Sequence, residues 1–327
     1  MKMDFRKEDF FPIRESLDGV INPTPLQHSE TFSRMAGCRI FLKPECLQKN
    51  GSFKIRGAFA ALNSVPAELR QKGIITSSSG NWAQGVAYCC QIMGIRSLIV
   101  MPEYVSRSKH EAVKGYGAET LLYGTSSLDV VRKVRELSTQ KDMTWIHAFQ
   151  EPVVPTLRPT LLGYGSIGIE ILEDLPEIDA IVTPVGSGAL ISGIALAAKS
   201  IKPGIRLIGV QPVGAAAMTR SLERGTLEEL AEVKTSAEGL ALKKVGEVTF
   251  RIVKDNVDEM VLVTEEEIES AVRILLERAK LLVEPSGAVP LAALLSRKVS
   301  RLTDDARVAV VLSGGNVDLP VLRKLLS

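Results

Sequence analysis

One lysine in the first third of the chain has neighbours that favour chemistry over simple solvation. Lys54 lies in QKNGSFKIRGAFAAL, Gln48–Leu62, where it opens an apolar helical run and is flanked by Phe53 and Ile55. At the start of a helix the dipole disfavours a cation, which lowers the pKa of an amine. Schiff-base chemistry requires a lysine of this kind. The pattern therefore predicts a nucleophilic lysine, against the common alternative of an ordinary surface lysine.

Three turns of small residues follow apolar runs along the chain. They are TSSSGNW (Thr76–Trp82), PVGSGAL (Pro184–Leu190) and LSGGN (Leu312–Asn316). Small residues let the backbone approach a ligand, and the N–H groups of a helix start attract anions. One such turn would indicate a strand–helix connection with a serine cap, but three favour an anionic ligand. PVGSGAL is neither a phosphate-loop nor a dinucleotide motif, so the phosphate is predicted to belong to something other than ATP or NAD.

Composition narrows the class of protein. The 327 residues are 45% hydrophobic and 24% charged, and 40 basic residues nearly balance 38 acidic ones. Without a long basic block this balance argues against a nucleic-acid partner. The sequence has no signal-peptide pattern and no apolar run of about 18 residues. We therefore expect no membrane association, and a cytoplasmic location is the default expectation. The cysteines form no CxxC or Cys/His cluster, and the adjacent Cys89 and Cys90 are predicted to be buried thiols.

Short β-branched runs alternate with longer helical patterns. Runs such as IVTPV and VAVVL are continuously apolar, which indicates strands buried on both faces and hence parallel sheets flanked by helices. The fold class is predicted to be α/β. The predicted strands are Arg39–Lys43, Gly73–Ser77, Ser97–Met101, Glu119–Tyr123, Trp145–Phe149, Ala180–Pro184, Arg206–Val210 and Arg307–Leu312.

Five motifs in order resemble those of a known family. NGSFKIRGA, SSGNWAQGVAY, PVGSGAL, VEPSGA and LSGGNVDL resemble motifs of fold-type II pyridoxal-phosphate enzymes, in the serine/threonine dehydratase and serine racemase branch. The resemblance runs from about Thr24 to Leu319. It implies a two-domain fold like that of the tryptophan synthase β subunit, with pyridoxal 5'-phosphate in the cleft. The large domain would comprise residues 1–72 and 151–327, and the small domain residues 73–150.

The resemblance also implies contacts to the cofactor. Lys54 would carry it as a Schiff base and move protons at the substrate Cα, with Phe53 packed near the ring. Asn81 would hydrogen-bond the phenolic oxygen, and Ser313 would face the pyridine nitrogen. A hydroxyl does not keep that nitrogen protonated, so the ring would be a weaker electron sink that favours prompt β-elimination. Backbone N–H groups of four residues would hold the phosphate: Gly186, Ser187, Gly188 and Ala189.

The implied reaction is β-elimination of a β-hydroxy amino acid such as L-threonine or L-serine, giving a 2-keto acid and ammonia. Ser78, Ser79 and Gly80 would bind the substrate carboxylate at a helix N-terminus, and Trp82 would lie in the substrate pocket. An amino-acid (serine) racemase is the main alternative, because racemases of this family use a serine at position 79 as a second acid/base. A β-replacement synthase is disfavoured by IRG after Lys54 and by Trp82, whereas a non-catalytic cofactor binder stays open.

Several positions depart from the family pattern. Trp82 stands where His is usual, Tyr164 where Gln is usual, and the stretch Val153–Leu162 is longer than in relatives. Gln211 and Ala217 replace carboxylates that bind divalent cations in some relatives, so no metal site is predicted there. Glu284 is expected to lie near the cleft, with a helix N-terminal carboxylate that interacts with the dipole as the simpler interpretation. The three histidines, His28, His110 and His147, are expected to be structural. Relatives imply a homo-oligomer, either a dimer or a tetramer.

Overall fold

The computed structural model describes residues 5–147 and 155–326. The strands are β1 Gln27–His28, β2 Arg39–Lys43, β3 Ile74–Ser77, β4 Ser97–Met101, β5 Glu119–Leu122, β6 Thr144–Trp145, β7 Ala180–Pro184, β8 Arg206–Pro212, β9 Glu259–Val263 and β10 Arg307–Val311. The helices are α1 Lys7–Ser16, α2 Glu30–Ala36, α3 Lys54–Ser64, α4 Ala67–Gln71, α5 Asn81–Ile92, α6 Arg107–Gly115, α7 Ser127–Gln140, α8 Leu157–Asp174, α9 Ala189–Ile201, α10 Ala217–Arg224, α11 Glu247–Asn256, α12 Glu265–Ile274, α13 Pro285–Leu295 and α14 Leu319–Leu326.

The strands form two sheets. The six-stranded sheet has the order β1-β2-β10-β7-β8-β9, in which only β1 is antiparallel to its neighbour among the described strands. The four-stranded sheet has the order β5-β4-β3-β6 and is parallel throughout the described residues. These sheets confirm the predicted α/β class. The proposed domain bounds at about residues 72 and 150 stay a prediction, although the four-stranded sheet draws its strands from between them.

Helices cover both faces of the six-stranded sheet, as the continuous apolar runs predicted. Ile181 and Leu207 pack in one core cluster with Ile194 of α9, while Val182 and Ile208 belong to the opposite cluster with residues of α13. Successive residues of a strand therefore enter opposite cores, since side chains alternate across a sheet. Parallel strands end at a common edge, which places the turns after β7 and β10 side by side.

Helix α3, which begins at Lys54, packs closely on α8. A Cβ atom at Gly57 would lie only 2.4 Å from the Tyr164 ring, so only glycine allows this approach. The contact is reinforced by a buried ionic network: the Arg56 guanidinium lies 2.8 Å from Glu45 and 2.6 Å from Glu170. Close packing at Gly57 and the ion pairs of Arg56 thus stabilise the first turn of the helix that begins at Lys54.

The sequence missed or shortened several elements. Strands β1 and β9 were not predicted, because one has two residues and the other is a half-exposed edge strand. Helix α8 spans Leu157–Asp174, although only Ile167–Leu172 reads as helical by pattern. The predicted strand Trp145–Phe149 is seen as Thr144–Trp145, and its last two residues lie outside the described residues. The same holds for the start of the stretch Val153–Leu162.

No helix in residues 5–147 and 155–326 has the length and apolarity needed to cross a membrane.

Candidate active site

A cavity of about 370 Å³ lies at the carboxyl ends of strands from both sheets. All three small-residue turns line it, as expected for the open edge of parallel sheets. The structure brings every predicted site residue into this one cavity, although their roles stay predictions. Those lining residues are Phe53, Lys54, Ser78, Ser79, Gly80, Asn81, Trp82, Gly186, Ser187, Gly188, Ala189 and Ser313.

Lys54 begins α3 on the floor of the cavity. Its Nζ lies 4.7 Å from the centroid of the Phe53 ring and 5.7 Å from that of Tyr164. Burial lowers the pKa of the Lys54 amine to about 8, and the nearby Glu284 carboxyl opposes this shift. At this pKa roughly one amine in ten is uncharged at pH 7, far more than for an ordinary lysine, and the uncharged form can act as a nucleophile or base.

Two aromatic rings support this lysine. The Phe53 and Tyr164 rings are tilted by 60° with their centroids 4.8 Å apart, a typical aromatic contact. Phe53 also donates its backbone N–H to the carbonyl of Ser313 at 3.0 Å, which ties the Lys54 turn to the turn after β10. Tyr164 is fully buried and does not line the cavity, so it can shape the pocket through its contacts with Phe53 and Lys54.

The turn after β7 presents unoccupied donors to the cavity. Among the described residues, the backbone N–H groups of Gly186, Ser187 and Gly188 have no protein acceptor, while that of Ala189 lies 3.4 Å from the Ser187 hydroxyl. Gly188 is left-handed, with φ at +88°, and immediately precedes the 13-residue helix α9. Converging N–H groups at a helix start form an anion site.

Gly188→Ala is expected to weaken phosphate binding at this turn. The new Cβ would lie 2.6 Å from the Met218 Cε atom, in a backbone conformation that L residues rarely adopt. We expect the dissociation constant of pyridoxal phosphate to rise about tenfold, for about 1–2 kcal/mol of backbone strain. Equilibrium titration of apoprotein measures this, with Gly225→Ala, also left-handed but outside the cavity, as the control. Equal losses of cofactor affinity in both variants would contradict the assignment.

The turn between β3 and α5 forms another wall. The Ser78 hydroxyl accepts the Gly80 N–H at 3.2 Å, whereas no hydrogen bond of the Ser79 hydroxyl is found in the described residues. The Trp82 indole N–H is donated to Thr76 Oγ1 at 3.1 Å. Trp82 is 3% exposed, so it offers the cavity apolar ring surface and no hydrogen bond.

Several residues that line the cavity were not predicted from the sequence. The loop that carries Gly239 closes over the turn at Gly186, whose added Cβ would lie 3.0 Å from the Gly239 carbonyl. Lys109 of α6 also lines the cavity and pairs with Glu238 at 2.5 Å, which links α6 to the loop that carries Gly239. His147 also lines the cavity, and burial with the nearby Lys54 charge lowers its pKa to about 4. Contacts between segments so distant in sequence leave no local pattern.

Gln211 takes a structural role at the position where a cation ligand was considered. Its amide nitrogen donates to the carbonyls of Val185 and Ala215 at 3.2 and 3.1 Å, and its oxygen accepts two hydrogen bonds from Thr219. The side chain is thus fully hydrogen-bonded within the protein. In the part of the chain that the structure describes, no group of three or more His, Cys, Asp or Glu residues is arranged to hold a metal ion.

The chain is similar to a known family model and to several known proteins. The chain matches the family model of pyridoxal-phosphate dependent enzymes over residues 17–314. It is 40% identical to L-threonine ammonia-lyase of Thermotoga maritima, over 98% of this chain and 78% of that protein. Maize serine racemase superposes with a TM-score of 0.91 at 34% identity, covering 98% of this chain and 96% of that chain. Processed threonine deaminase isoform 2 of Solanum lycopersicum gives 0.89 at 34% identity, with coverages of 99% and 89%.

The chain belongs to the pyridoxal-phosphate dependent enzyme family, in its fold-type II class. The cavity fits pyridoxal phosphate in three respects. A half-buried lysine supplies the amine, the turn after β7 supplies free N–H donors for a phosphate, and Asn81 and Ser313 supply polar atoms between them. The predicted cofactor is therefore confirmed as that of the family.

Proposed function

We propose that the protein is an ammonia-lyase that converts L-threonine, or a similar β-hydroxy amino acid, into a 2-keto acid and ammonia. The observation that carries the proposal is that one cavity contains a lysine of lowered pKa, the turn Gly186–Gly188 at the start of α9 and the turn Ser78–Gly80 at the start of α5. Relatives named L-threonine ammonia-lyase, at 40% and 42% identity over most of the chain, support this reaction over others of the family.

The residues act by position and by proton transfer. The bound cofactor supplies the electron sink that stabilises negative charge at the substrate Cα. Free N–H groups of the Gly186–Gly188 turn hold the phosphate. The start of α5, with Ser78, Ser79 and Gly80, binds the substrate carboxylate. Lys54, neutral above its lowered pKa, removes the Cα proton, and the protonated amine gives a proton to the departing β-hydroxyl, which leaves as water. The aminoacrylate so formed tautomerises to an imine, and water hydrolyses it to the 2-keto acid and ammonia.

Ketoacid release tests the proposal. Holoenzyme incubated with L-threonine or L-serine should release one ammonia per keto acid, and D-isomers or substrates without a β-leaving group should release none. A thiol-dependent amino-acid product would instead identify a β-replacement synthase. Holoenzyme that keeps its cofactor but turns over neither substrate would identify a non-catalytic binder and remove the proposal.

Ser79→Ala separates the lyase from the racemase alternative. That alternative is supported by the Ser79 hydroxyl, which lines the cavity and has no hydrogen bond within the described residues, and by the likeness to maize serine racemase. If Ser79 is a second acid/base, its loss should lower formation of D-serine from L-serine about 10²-fold while elimination changes far less. Chiral chromatography and ammonia assays measure the two rates. Ser78→Ala is the control, because loss of its bond to Gly80 should affect both rates alike. A parallel fall of both rates in Ser79→Ala would remove the second acid/base.

Three organisational features are proposed with this function. The chain divides into a large domain, residues 1–72 and 151–327, and a small domain, residues 73–150, which is supported by the division of strands between the two sheets. The protein acts in the cytoplasm, where four buried free cysteines stay reduced. It assembles as a homo-oligomer, as soluble enzymes commonly do.

A further inference from the structure

A chain of hydrogen bonds in the cavity wall fixes the amide of Asn81. Asn316 Nδ2 donates to the backbone carbonyl of Asn50 at 2.9 Å and to Asn81 Oδ1 at 2.8 Å. Because an amide nitrogen carries two N–H groups, both donors of Asn316 are used. Asn81 consequently turns its nitrogen toward Glu284 Oε1, at 2.7 Å. We call Asn50, Asn81, Glu284 and Asn316 the amide clamp.

The amide clamp leaves Asn81 one donor for a ligand. Of its two N–H groups, one is given to Glu284, and the other has no acceptor among the described residues. Asn81, Glu284 and Asn316 all line the cavity. The clamp also joins α5, which follows β3 of the four-stranded sheet, to the N-terminus of α13 and the turn after β10. Asn81 therefore reaches the cavity with an orientation set by groups from other segments of the chain.

Glu284 is the ionisable member of the amide clamp. It precedes α13, and its backbone N–H is donated to the Gly314 carbonyl at 3.0 Å. Burial raises the pKa of the Glu284 carboxyl to about 7, although the Asn81 hydrogen bond and the charges of Lys109 and Lys54 lower it. Glu238 faces it as a like charge, and Cys46 is a further titratable neighbour. Both charge states are thus accessible near neutral pH.

We propose that Glu284 is a positioning residue for the cofactor and acts through Asn81, whose remaining N–H it directs and tunes. An ionised Glu284 accepts a stronger hydrogen bond than a neutral one and polarises the amide that it holds. Its charge also favours protonation of a cofactor oxygen bound by the same amide. The inference rests on the proposed role of Asn81. It predicts that the visible absorption of the holoenzyme changes with pH even without turnover.

Glu284→Gln tests the electrostatic part. The glutamine keeps an acceptor for Asn81 and a similar shape but stays neutral at every pH. In the wild-type holoenzyme, the visible absorption of the cofactor should change with a midpoint in the neutral range, because burial raises the pKa of the Glu284 carboxyl. Glu284→Gln should lose that midpoint, with its cofactor affinity kept within about threefold. The exposed Glu277→Gln, seven residues earlier, is the matched control and should titrate like the wild type.

Asn316→Ala tests the geometric part. It frees the Asn81 amide without removing the Glu284 carboxyl, so the midpoint should persist while the cofactor dissociation constant rises about tenfold. A wild-type midpoint in Glu284→Gln, or an unchanged cofactor affinity in Asn316→Ala, would overturn the inference. These readouts need no substrate. If the midpoint is lost in Glu284→Gln while the wild type fails to deaminate threonine, only the proposed function falls.

Discussion

Lys54→Ala should reduce keto-acid formation from L-threonine by at least about 10³-fold, because it removes the base that moves the Cα proton. It should also abolish covalent attachment of the cofactor. The amine lies beside two aromatic rings and has no hydrogen-bond or ion-pair partner in the described residues, so it is available for reaction. Steady-state assays and the visible absorption of the purified protein measure both effects.

The control for this variant is Lys49→Ala, an exposed lysine five positions earlier whose Nζ donates to the Gly19 carbonyl. It should retain wild-type activity and colour. Reconstitution of wild-type apoprotein should also accelerate as pH rises toward about 8, because the neutral form of the Lys54 amine accumulates there. A coloured, active Lys54→Ala variant would place the reactive amine elsewhere; in residues 5–147 and 155–326, Lys109 is the other lysine that lines the cavity.

Arg56→Met should destabilise the fold by about 3–5 kcal/mol, because it leaves buried carboxylates without their partner. The Arg56 guanidinium donates to both oxygens of Glu45 and of Glu170, and it is fully buried. Burial raises the pKa of Glu170, but Arg56 and Lys43 outweigh it and hold that pKa at about 2. Glu170 is therefore anionic across the physiological range and depends on its cations. Urea unfolding monitored by circular dichroism measures the loss.

Lys72→Met is the matched control for Arg56→Met. Lys72 pairs with Asp142 at 2.9 Å, but their side chains are 42% and 77% exposed. Exposed pairs contribute at most about 1 kcal/mol, so this variant should unfold almost like the wild type. Similar losses of unfolding free energy in the two variants would show that the buried network contributes no more than a surface pair. Because Arg56 lies two residues after Lys54, its loss should also lower cofactor affinity.

Local patterns predicted the parts of the site that have local causes. Lys54, the turn at Gly188 and the turn at Ser79 are each marked by residue type within a few positions, and the structure brings them into one cavity. The parallel sheets follow from strands that are apolar on both faces. Strand order determines which turns meet across the cavity, and the local pattern does not contain strand order. The resemblance to a family supplied the expectation that these turns share one cleft.

Long-range contacts escaped prediction. Arg56 reads as an ordinary helical arginine, since its partner Glu170 lies 114 residues away. Helix α8 was shortened because its glycines resemble breaks, whereas Gly163 allows a close approach to α3, and Gly168 a close approach to α9. Glu284 was expected near the cleft at a helix N-terminus, and it does precede α13 and line the cavity, but its hydrogen bond from Asn81, 203 residues earlier, was not predicted. Burial and contacts between distant residues arise only in the folded chain, so a short segment of the sequence does not reveal them.

The most direct test of the central claim is reduction of the holoenzyme with borohydride followed by peptide mapping. Reduction fixes the cofactor on whichever amine holds it, and mass spectrometry then identifies that residue. We expect a single labelled peptide that carries the cofactor on Lys54. A label on another lysine, or no label in protein that retains its cofactor, would contradict the assignment of Lys54 as the reactive amine.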